Sequence, residues 1–336
     1  HKSAQPGATD FYAGLTLQGV FGMEDPPRQG IGDAVERCRN AGIAVIMVTG
    51  DHANTARSVA TEIGVLDAAD DASRPLAGSE VDQMLAANRH DELLRARVFS
   101  RVTPDQKLRL IELHQEQGQV VAMTGDGVND APALRKADIG VAMGIRGTAV
   151  AREAAEMVLQ DDDFSTIVAA VEHGRAIFEN IRKFVVYLLS CNTSEILVVS
   201  LATVAGAPLP LLPLQILFLN LVTDVFPALA LGVGPGRPGL MHEGPRSSGE
   251  GILSRRYWIE IGLYGVIMAV ITLGAMFVAV SALGFDVAHA VTIAFSTLAL
   301  AQMWHVFNMR GDMRRVFDNE ITRNPWIWAT LALCLA

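Results

Sequence analysis

Long apolar runs in the second half of the chain constrain its fold more than any other feature. They occupy residues 184–205, 211–231, 257–283 and 291–309, and a fifth run begins at Trp326. A bilayer core requires ~20 apolar residues in a helix, and the backbone there must satisfy its own hydrogen bonds. We therefore expect an α-helical transmembrane bundle over residues 184–336, with the lipid bilayer as its surroundings.

The basic residues of the loops predict the orientation of these helices. Arg182 and Lys183 precede the first run, and further arginines follow the second and fourth runs. The loops after the first and third runs contain no Lys or Arg. By the positive-inside rule, residues 1–183 and the Arg-rich loops lie in the cytoplasm. We expect an integral membrane protein, with the plasma membrane as the first choice of location.

The first half of the chain mixes charged and apolar residues as a soluble domain does. Short apolar runs at 43–48 and 120–123 predict buried strands, and residues 139–143 predict a third strand. Helical patterns alternate with these strands, which indicates an α/β fold with a doubly wound parallel sheet. We interpret residues 67–97 as a looser, charged insertion with helical stretches and assign it no chemistry. The net charge of −9 argues against nucleic acid as a partner.

The first two predicted strands both end in Thr-Gly-Asp. The motif occupies residues 49–51 after the first strand and opens the longer stretch Thr-Gly-Asp-Gly-Val-Asn-Asp, residues 124–130, after the second. Open α/β sheets bind ligands at the carboxyl ends of their strands. The oxygens of Asp126, Asn129 and Asp130 suit Mg²⁺ beside a phosphate.

These motifs resemble those of P-type ATPases, whose phosphorylation domain is haloacid-dehalogenase-like. Residues 124–130 match the family's hinge motif, and residues 49–51 resemble its second phosphate-contacting motif. Asp-Pro-Pro-Arg at 25–28 resembles the link from the nucleotide-binding domain, and Arg-Val-Thr-Pro-Asp-Gln-Lys at 101–107 resembles the segment with the essential lysine. The resemblance implies that residues 1–163 form the C-terminal part of the phosphorylation domain.

The resemblance also implies ATP and Mg²⁺ as cofactors and gives roles to the residues that contact phosphate. Thr49, Gly50 and Asp51 belong to the loop that holds phosphate oxygens. The Lys107 ammonium neutralises an aspartyl phosphate, and Arg101 reaches the nucleotide. Phosphoryl transfer depends mostly on such positioning and charge stabilisation. Taken alone, Lys107 would more often be a solvated helix residue, and Thr49 a turn residue or helix cap.

The hinge motif supplies the remaining catalytic residues that the resemblance implies. Asp126 ligates Mg²⁺, Asn129 donates to a phosphate oxygen, and Asp130 holds the loop or Lys107 in place. The family's nucleophile is the Asp of an Asp-Lys-Thr-Gly-Thr motif, and this chain has no such string. We therefore expect a fragment that does not turn over alone, with the N-terminal remainder of the pump as its partner.

Polar residues within the apolar runs are candidate ligands for a transported cation. They are Asn192 and Glu195 in the first run and Asn220, Thr223 and Asp224 in the second. Their spacings of three and four residues place each group on one helix face. Pro227 has no N–H, so it leaves the Thr223 carbonyl free as a further ligand. A network of hydrogen bonds between helices is the alternative interpretation.

The membrane residues are similar to the calcium and sodium/potassium branch of the family. Asn-Leu-Val-Thr-Asp, residues 220–224, is its sixth-helix motif. Two-site calcium pumps carry an acid in the helix at 291–309, and none is present here, which puts a two-ion stoichiometry in doubt. Gln302 is a weak candidate ligand there and is better explained by packing or by an interfacial position. Oxygen-type ligands argue against copper or zinc.

Residues 164–183 predict a cytoplasmic stalk helix that continues into the first apolar run. Asp163 is its expected N-cap, and Gly174 is its one weak point before the membrane. Such a helix would couple phosphate chemistry rigidly to the cation site.

The resulting prediction is ATP-driven export of a cation through an aspartyl-phosphate intermediate, with calcium as the first choice. Manganese, sodium or another monovalent cation remain open. One rival is a phosphatase domain fused to a membrane anchor, and another is a non-catalytic pump remnant with a binding or regulatory role. In the family's cycle, phosphorylation from inorganic phosphate needs no transported ion.

Overall fold

The cytoplasmic strands form two small parallel sheets. A computed structural model describes residues 16–19, 26–67, 74–247, 249–311 and 318–335. Its strands are β1 (Met47–Val48), β2 (Leu76–Ala77), β3 (Val98–Ser100), β4 (Ala122–Gly125), β5 (Ile139–Met143) and β6 (Met157–Leu159). The described strands pair in the orders β1-β3-β2 and β4-β5-β6, and every pair is parallel. Asp25 of the Asp-Pro-Pro-Arg segment lies outside the described residues.

Helices alternate with these strands, as the sequence predicts for an α/β domain. They are α1 (Ile31–Asn40), α2 (Ala53–Glu62), α3 (Gly78–Ala86), α4 (His90–Arg95), α5 (Pro104–Glu116), α6 (Ala131–Lys136) and α7 (Ala149–Ala154). Helix α5 shows why such a segment is helical. Thr103 accepts a hydrogen bond from the Gln106 N–H, and the Gln106 side chain accepts one from the Thr103 N–H, while Pro104 occupies the first helical position.

Two of the predicted strands are wrong in extent. The run at 43–48 is a strand only over Met47–Val48. The run at 120–123 is not buried, because β4 begins at Ala122 and Val120 is 68% exposed. Among the described residues, β4 pairs only with β5, so its other edge and the residues before it have no strand to cover them.

The interpretation of residues 67–97 as a loose insertion is also wrong for the part that the structure describes. Strand β2 pairs with β3, and α3 and α4 pack beside it. Val81 and Leu93 are fully buried against Phe99 of β3. The charged residues that suggested an insertion lie on the outer face of a packed layer.

One long helix joins the cytoplasmic and membrane parts. Helix α8 runs from Phe164 to Val204 and passes through Gly174 without a break. The Asp163 carboxylate accepts a hydrogen bond from the Ser165 N–H at 2.9 Å, which confirms the predicted cap. The stalk and the first span are therefore one element.

The remaining apolar runs are helical as well. They are α9 (Pro213–Phe218), a π-helical turn (Leu219–Asp224) and α10 (Val225–Gly232), then α11 (Arg255–Ser281), α12 (Val287–His305) with a 3₁₀ turn (Val306–Met309), and α13 (Pro325–Leu335). Within the described residues, four helical segments are long and apolar enough to cross a membrane. Helix α11 packs between α8 and α12. The predicted spans match these helices to within a few residues at each end, although the boundaries of the predicted domains stay predictions.

Candidate functional site

Backbone hydrogen bonds bring the Thr-Gly-Asp loop after β1 to the segment after β3. The Arg101 N–H donates to the Asp51 carbonyl at 3.2 Å, and the Val102 N–H donates to the Thr49 carbonyl at 3.3 Å. The Thr49 hydroxyl donates to the Asp51 carboxylate at 2.9 Å, so these two side chains hold the turn. Gly50 between them is exposed and leaves its backbone open to a ligand.

The side chain of Arg101 is paired with the histidine that follows the Thr-Gly-Asp loop. Its backbone has a positive φ of 49°, which is uncommon outside glycine. Its guanidinium lies 2.8 Å from a ring nitrogen of His52, directly after the Thr-Gly-Asp loop. The structure thus pairs Arg101 with His52, and a nucleotide contact by Arg101 stays a prediction.

Lys107 and Asp130 form a half-buried ion pair across the site. The Lys107 ammonium, on the first turn of α5, lies 2.7 Å from one carboxylate oxygen of Asp130. The other oxygen accepts a hydrogen bond from the Gly127 N–H at 3.1 Å. Burial by itself raises the pKa of the Asp130 carboxyl, but the Lys107 ammonium and the Gly127 N–H together lower it below its usual value. Asp130 therefore holds both the hinge loop and Lys107.

The hinge loop turns tightly and presents two polar side chains to solvent. A Cβ at Gly125 would lie 2.6 Å from the Asp130 Cβ, so only glycine fits there. Asp126 and Asn129 are exposed, and the Asp126 carbonyl accepts from the Thr148 N–H at 2.8 Å. An exposed carboxylate and amide on a fixed backbone fit the oxygen ligands that Mg²⁺ requires.

A second cluster lies in the membrane part around Glu195 of α8. Glu195 is 5% exposed, and its two carboxylate oxygens accept separate amide hydrogen bonds. Asn220 donates at 2.9 Å, and Gln302 of α12 donates at 3.1 Å. Gln302 is fully buried, which agrees with packing, and its hydrogen bond also joins it to the predicted ligand Glu195, so a ligand role for Gln302 stays a prediction. The sequence signal for this contact was an amide side chain within an otherwise apolar helix.

Asp224 completes this cluster as a buried carboxylate without a donor. It is 1% exposed, and within the described part of the chain neither of its oxygens has a hydrogen-bond partner. The Gln302 carbonyl oxygen also has no partner there. An unpaired buried charge is costly, so a carboxylate here needs a proton or a cation to neutralise it. The described residues contain no group of three His, Cys, Asp or Glu side chains that could hold a metal ion, so a cation here also needs amide or backbone oxygens.

The predicted free carbonyl of Thr223 lies in the π-helical turn before α10. The Tyr187 hydroxyl donates to this carbonyl at 3.2 Å, and the Thr223 hydroxyl donates to the Leu219 carbonyl at 2.8 Å. The carbonyl is thus held by Tyr187, a residue that sequence reasoning missed. Such π-helical turns are frequent at functional sites because they re-aim backbone groups.

The amide of Asn192 is bonded within its own helix. Its amide donates to the Leu188 carbonyl of its own helix at 3.0 Å, and the residue is half-buried. No hydrogen bond that the structure describes joins it to Glu195, Asn220 or Asp224.

Comparison with known proteins agrees with the structure of both the cytoplasmic part and the membrane part of the chain. Residues 1–138 match the family model for haloacid dehalogenase-like hydrolases, and residues 208–336 match the model for the C-terminus of cation transporting ATPases. The chain is 44% identical over 317 residues to a calcium-transporting ATPase of Bacillus subtilis (strain 168), which covers 93% of this chain and 34% of that protein. The chain belongs to the P-type cation-transporting ATPases.

Other relatives differ in the cation that they name. A probable cation-transporting ATPase F of Mycobacterium tuberculosis (strain ATCC 25618 / H37Rv) is 42% identical over 93% of this chain and 35% of that protein. A P-type sodium-transporting ATPase4 of Toxoplasma gondii (strain ATCC 50861 / VEG) is 50% identical over 73% of this chain and 19% of that protein. The chain spans about a third of the length of the first relatives, all of them longer. This P-type ATPase chain is an integral membrane protein with a haloacid-dehalogenase-like domain and apolar membrane helices.

Proposed function

We propose that this chain supplies the phosphate loops and the cation cage of a pump that exports a cation at the expense of ATP, through an aspartyl phosphate. The observation that carries the proposal is the buried carboxylate of Asp224, which has no donor among the described residues and follows by one helical turn Asn220, the donor to Glu195. A phosphatase with a membrane anchor has no use for such a pair. Residues 1–183 would be cytoplasmic, and the plasma membrane is the first choice of membrane.

Calcium is the cation that we favour. Glu195 and Asp224 supply two negative charges, and Asn220 and Gln302 supply neutral oxygens, which together suit a hard divalent ion. The B. subtilis relative is named for calcium. Gln302 occupies the helix in which an acid would serve a second ion, so we propose a single calcium per cycle. Sodium, named in the T. gondii relative, and manganese are the competing cargoes.

The nucleophile comes from the rest of the pump. Strands β1 and β4 each lead into a Thr-Gly-Asp loop, and each keeps one edge without a partner strand among the described residues. A further strand paired at these edges would carry its own carboxyl end beside both loops. An Asp at that end would lie near Thr49, Lys107 and Asp126. Lys107 would then stabilise the charge of the transferring phosphoryl group, and Asp126 would hold Mg²⁺, which supplies further charge stabilisation when bound.

The experiment separates the phosphate site from the cation cage in the full-length pump. Glu195→Gln and Asp224→Asn each remove one charge from the cage, so the cation concentration for half-maximal phosphorylation from ATP should rise about 100-fold or more, at ~1.4 kcal/mol for each factor of ten. Both variants should still accept phosphate from inorganic phosphate. Asp126→Ala should not be phosphorylated from ATP or from inorganic phosphate, because the Asp126 carboxylate belongs to the phosphate site.

Asp286→Asn is the matched control for charge removal. Asp286 is an exposed acid that caps α12 away from the cage, so its variant should behave like the unmodified pump. Calcium, manganese and sodium are titrated separately to identify the cargo. Wild-type cation activation in both Glu195→Gln and Asp224→Asn would contradict the cage. Absence of any phosphoenzyme in the unmodified pump would favour a non-catalytic remnant.

A further inference from the structure

The aspartate before the N-cap of α8 anchors the loop that joins β5 to α7. One carboxylate oxygen of Asp162 accepts a hydrogen bond from the Ile145 N–H at 3.0 Å, and the other accepts one from the Arg146 N–H at 2.9 Å. Asp162 is 4% exposed and has a positive φ of 52°, a conformation that aspartate and asparagine adopt more readily than most residues with a side chain. Both of its carboxylate oxygens therefore hold this loop.

The same loop is bonded at its other end to the backbone of the hinge loop. The Thr148 N–H donates to the Asp126 carbonyl at 2.8 Å. The backbone between these contacts is closely packed, because a Cβ at Gly147 would lie 1.9 Å from the Met143 carbonyl oxygen. A closely packed segment transmits a displacement instead of absorbing it. A shift of the loop at Asp162 should therefore move Asp126.

Two further segments meet at Asp162. The Arg28 guanidinium, from the segment that precedes α1, donates to the Asp162 carbonyl. The next residue, Asp163, caps α8, and the membrane part of that helix carries Glu195. Asp162 thus joins the loops of the phosphorylation domain to the first residue of the stalk.

We infer that Asp162 is a positioning residue that holds Asp126 in place for Mg²⁺, by fixing the loop between β5 and α7 relative to the start of the stalk. The inference rests on the proposed function, in which Asp126 holds Mg²⁺ at the phosphate site. Asp126 is exposed, so the direction of its carboxylate depends on the backbone that the Thr148 N–H holds. Groups that orient a metal ligand typically change metal affinity 10–100-fold when they are removed.

The first test is the Mg²⁺ dependence of phosphorylation from inorganic phosphate in the full-length pump. Asp162→Asn keeps the size of the side chain and suits the positive φ, but it turns one acceptor oxygen into an amide donor that faces a backbone N–H. The Mg²⁺ concentration for half-maximal phosphorylation should rise about tenfold. Asp161→Asn is the matched control, since the Asp161 carboxylate accepts from the Asp163 N–H and the Thr166 hydroxyl next to it, and its Mg²⁺ dependence should be unchanged.

A double-mutant cycle with Thr148 separates positioning from general stabilisation of the fold. Thr148 has a φ of −68°, which proline can adopt, and Thr148→Pro removes the N–H that holds Asp126. Thr148→Ala is its control, because it keeps this N–H and removes only the hydroxyl that caps α7. If Asp162 acts through Thr148, Asp162→Asn should cause little further loss of Mg²⁺ affinity in the Thr148→Pro background. Independent, fully additive losses would overturn the inference.

Hydrogen exchange supplies a readout without turnover, and it serves also if Asp162→Asn fails to fold. In the unmodified pump, Mg²⁺ should raise the protection of the Ile145 and Arg146 amides, because coupling between two sites is reciprocal. In the Mg²⁺-free Asp162→Asn pump, the Thr148 amide should be less protected than in the unmodified pump. Unchanged protection of the Ile145 and Arg146 amides on addition of Mg²⁺ would overturn the inference.

The same measurements distinguish the inference from the proposed function. If the unmodified pump is phosphorylated and Asp162→Asn shows the same Mg²⁺ dependence, only the positioning role of Asp162 is wrong. If the unmodified pump forms no phosphoenzyme from ATP or from inorganic phosphate, the proposed function fails, and the inference fails with it.

Discussion

The ion pair between Lys107 and Asp130 shows how one contact serves two segments that are distant in sequence. Lys107 lies in the first turn of α5, and Asp130 ends the hinge loop. Their 2.7 Å contact and the bond from the Gly127 N–H fix the loop that carries Asp126. The two side chains are only 17% and 14% exposed, so solvent screens them less than a surface pair.

The lowered pKa of Asp130 predicts how pH affects the hinge loop. A carboxyl with a lowered pKa stabilises the folded loop at pH values above its unfolded pKa of about 3.9, and this stabilisation is lost as pH falls through the lower folded value. Protection of the Gly127 amide against hydrogen exchange, corrected for intrinsic rates, should therefore fall in that acid range. Asp130→Asn should lower the protection at neutral pH and flatten its dependence on acid.

Lys107→Ala provides the paired test at the same scale. It removes one of the groups that lower the pKa of Asp130, so protection of the Gly127 amide should be lost at a higher pH than in the unmodified chain. Lys136→Ala is a suitable control, because Lys136 pairs with Glu112 on the surface instead. An unchanged pH profile in Lys107→Ala would show that the ion pair does not hold the loop.

The π-helical turn at Leu219–Asp224 is the element on which the cation cage depends. It changes the helical spacing, so Asn220 contacts Glu195 while Thr223 and Asp224 are both buried. The Tyr187 hydroxyl holds the Thr223 carbonyl within this turn. The shape of the cage is thus set by a contact between two helices.

Tyr187→Phe should reduce the cation affinity of the full-length pump. It deletes the hydrogen bond to Thr223 and keeps the ring, and a typical hydrogen bond contributes about 0.5–1.5 kcal/mol, or roughly 2–13-fold in affinity. Cation activation of phosphorylation measures the effect. Tyr264→Phe is the matched control, since Tyr264 also packs on the His305 ring but has no described hydrogen bond to Thr223. Equal affinities in the two variants would remove Tyr187 from the cage.

At the scale of the whole molecule, α8 is the connection between the phosphate loops and the cage. Arg175 on its stalk donates to the Leu240 and Glu243 carbonyls of the loop after α10, each at 2.7 Å. It also donates to the Ala41 carbonyl at the end of α1, at 2.9 Å. Three segments thus meet at one side chain, 20 positions before Glu195.

Arg175→Gln should reduce the number of cations transported per ATP without abolishing either partial reaction. The shorter, neutral side chain cannot keep all three carbonyl contacts, so the cytoplasmic domain and the loop would no longer move together with α8. Transport and ATP hydrolysis are measured in the same vesicles. Arg152→Gln is the control: Arg152 donates to the Gly144 carbonyl of its own domain, and the number of cations transported per ATP should be unchanged. If Arg175→Gln transports the normal number of cations per ATP, these carbonyl contacts do not couple ATP hydrolysis to transport.

The sequence by itself determined the class of each half of the molecule. Apolar runs of sufficient length permit only helices in a bilayer, so the spans and α8 follow from composition. The Thr-Gly-Asp loops and Lys107 were identified from motifs, because their chemistry depends on residue type and local order. The strands at 43–48 and 120–123 were less accurate, since strand length depends on which neighbours pair with it.

The tertiary structure decided which residues form each site. Gln302 and Tyr187 join the cage because α8 and α12 pack against the turn before α10, and no local pattern encodes that packing. Asn192 shows the converse, since a polar residue at the right spacing bonds to its own helix instead. Residue type and spacing fix the face of a helix on which a side chain lies. Only the packing of the helices determines which groups on opposing faces come within hydrogen-bonding distance.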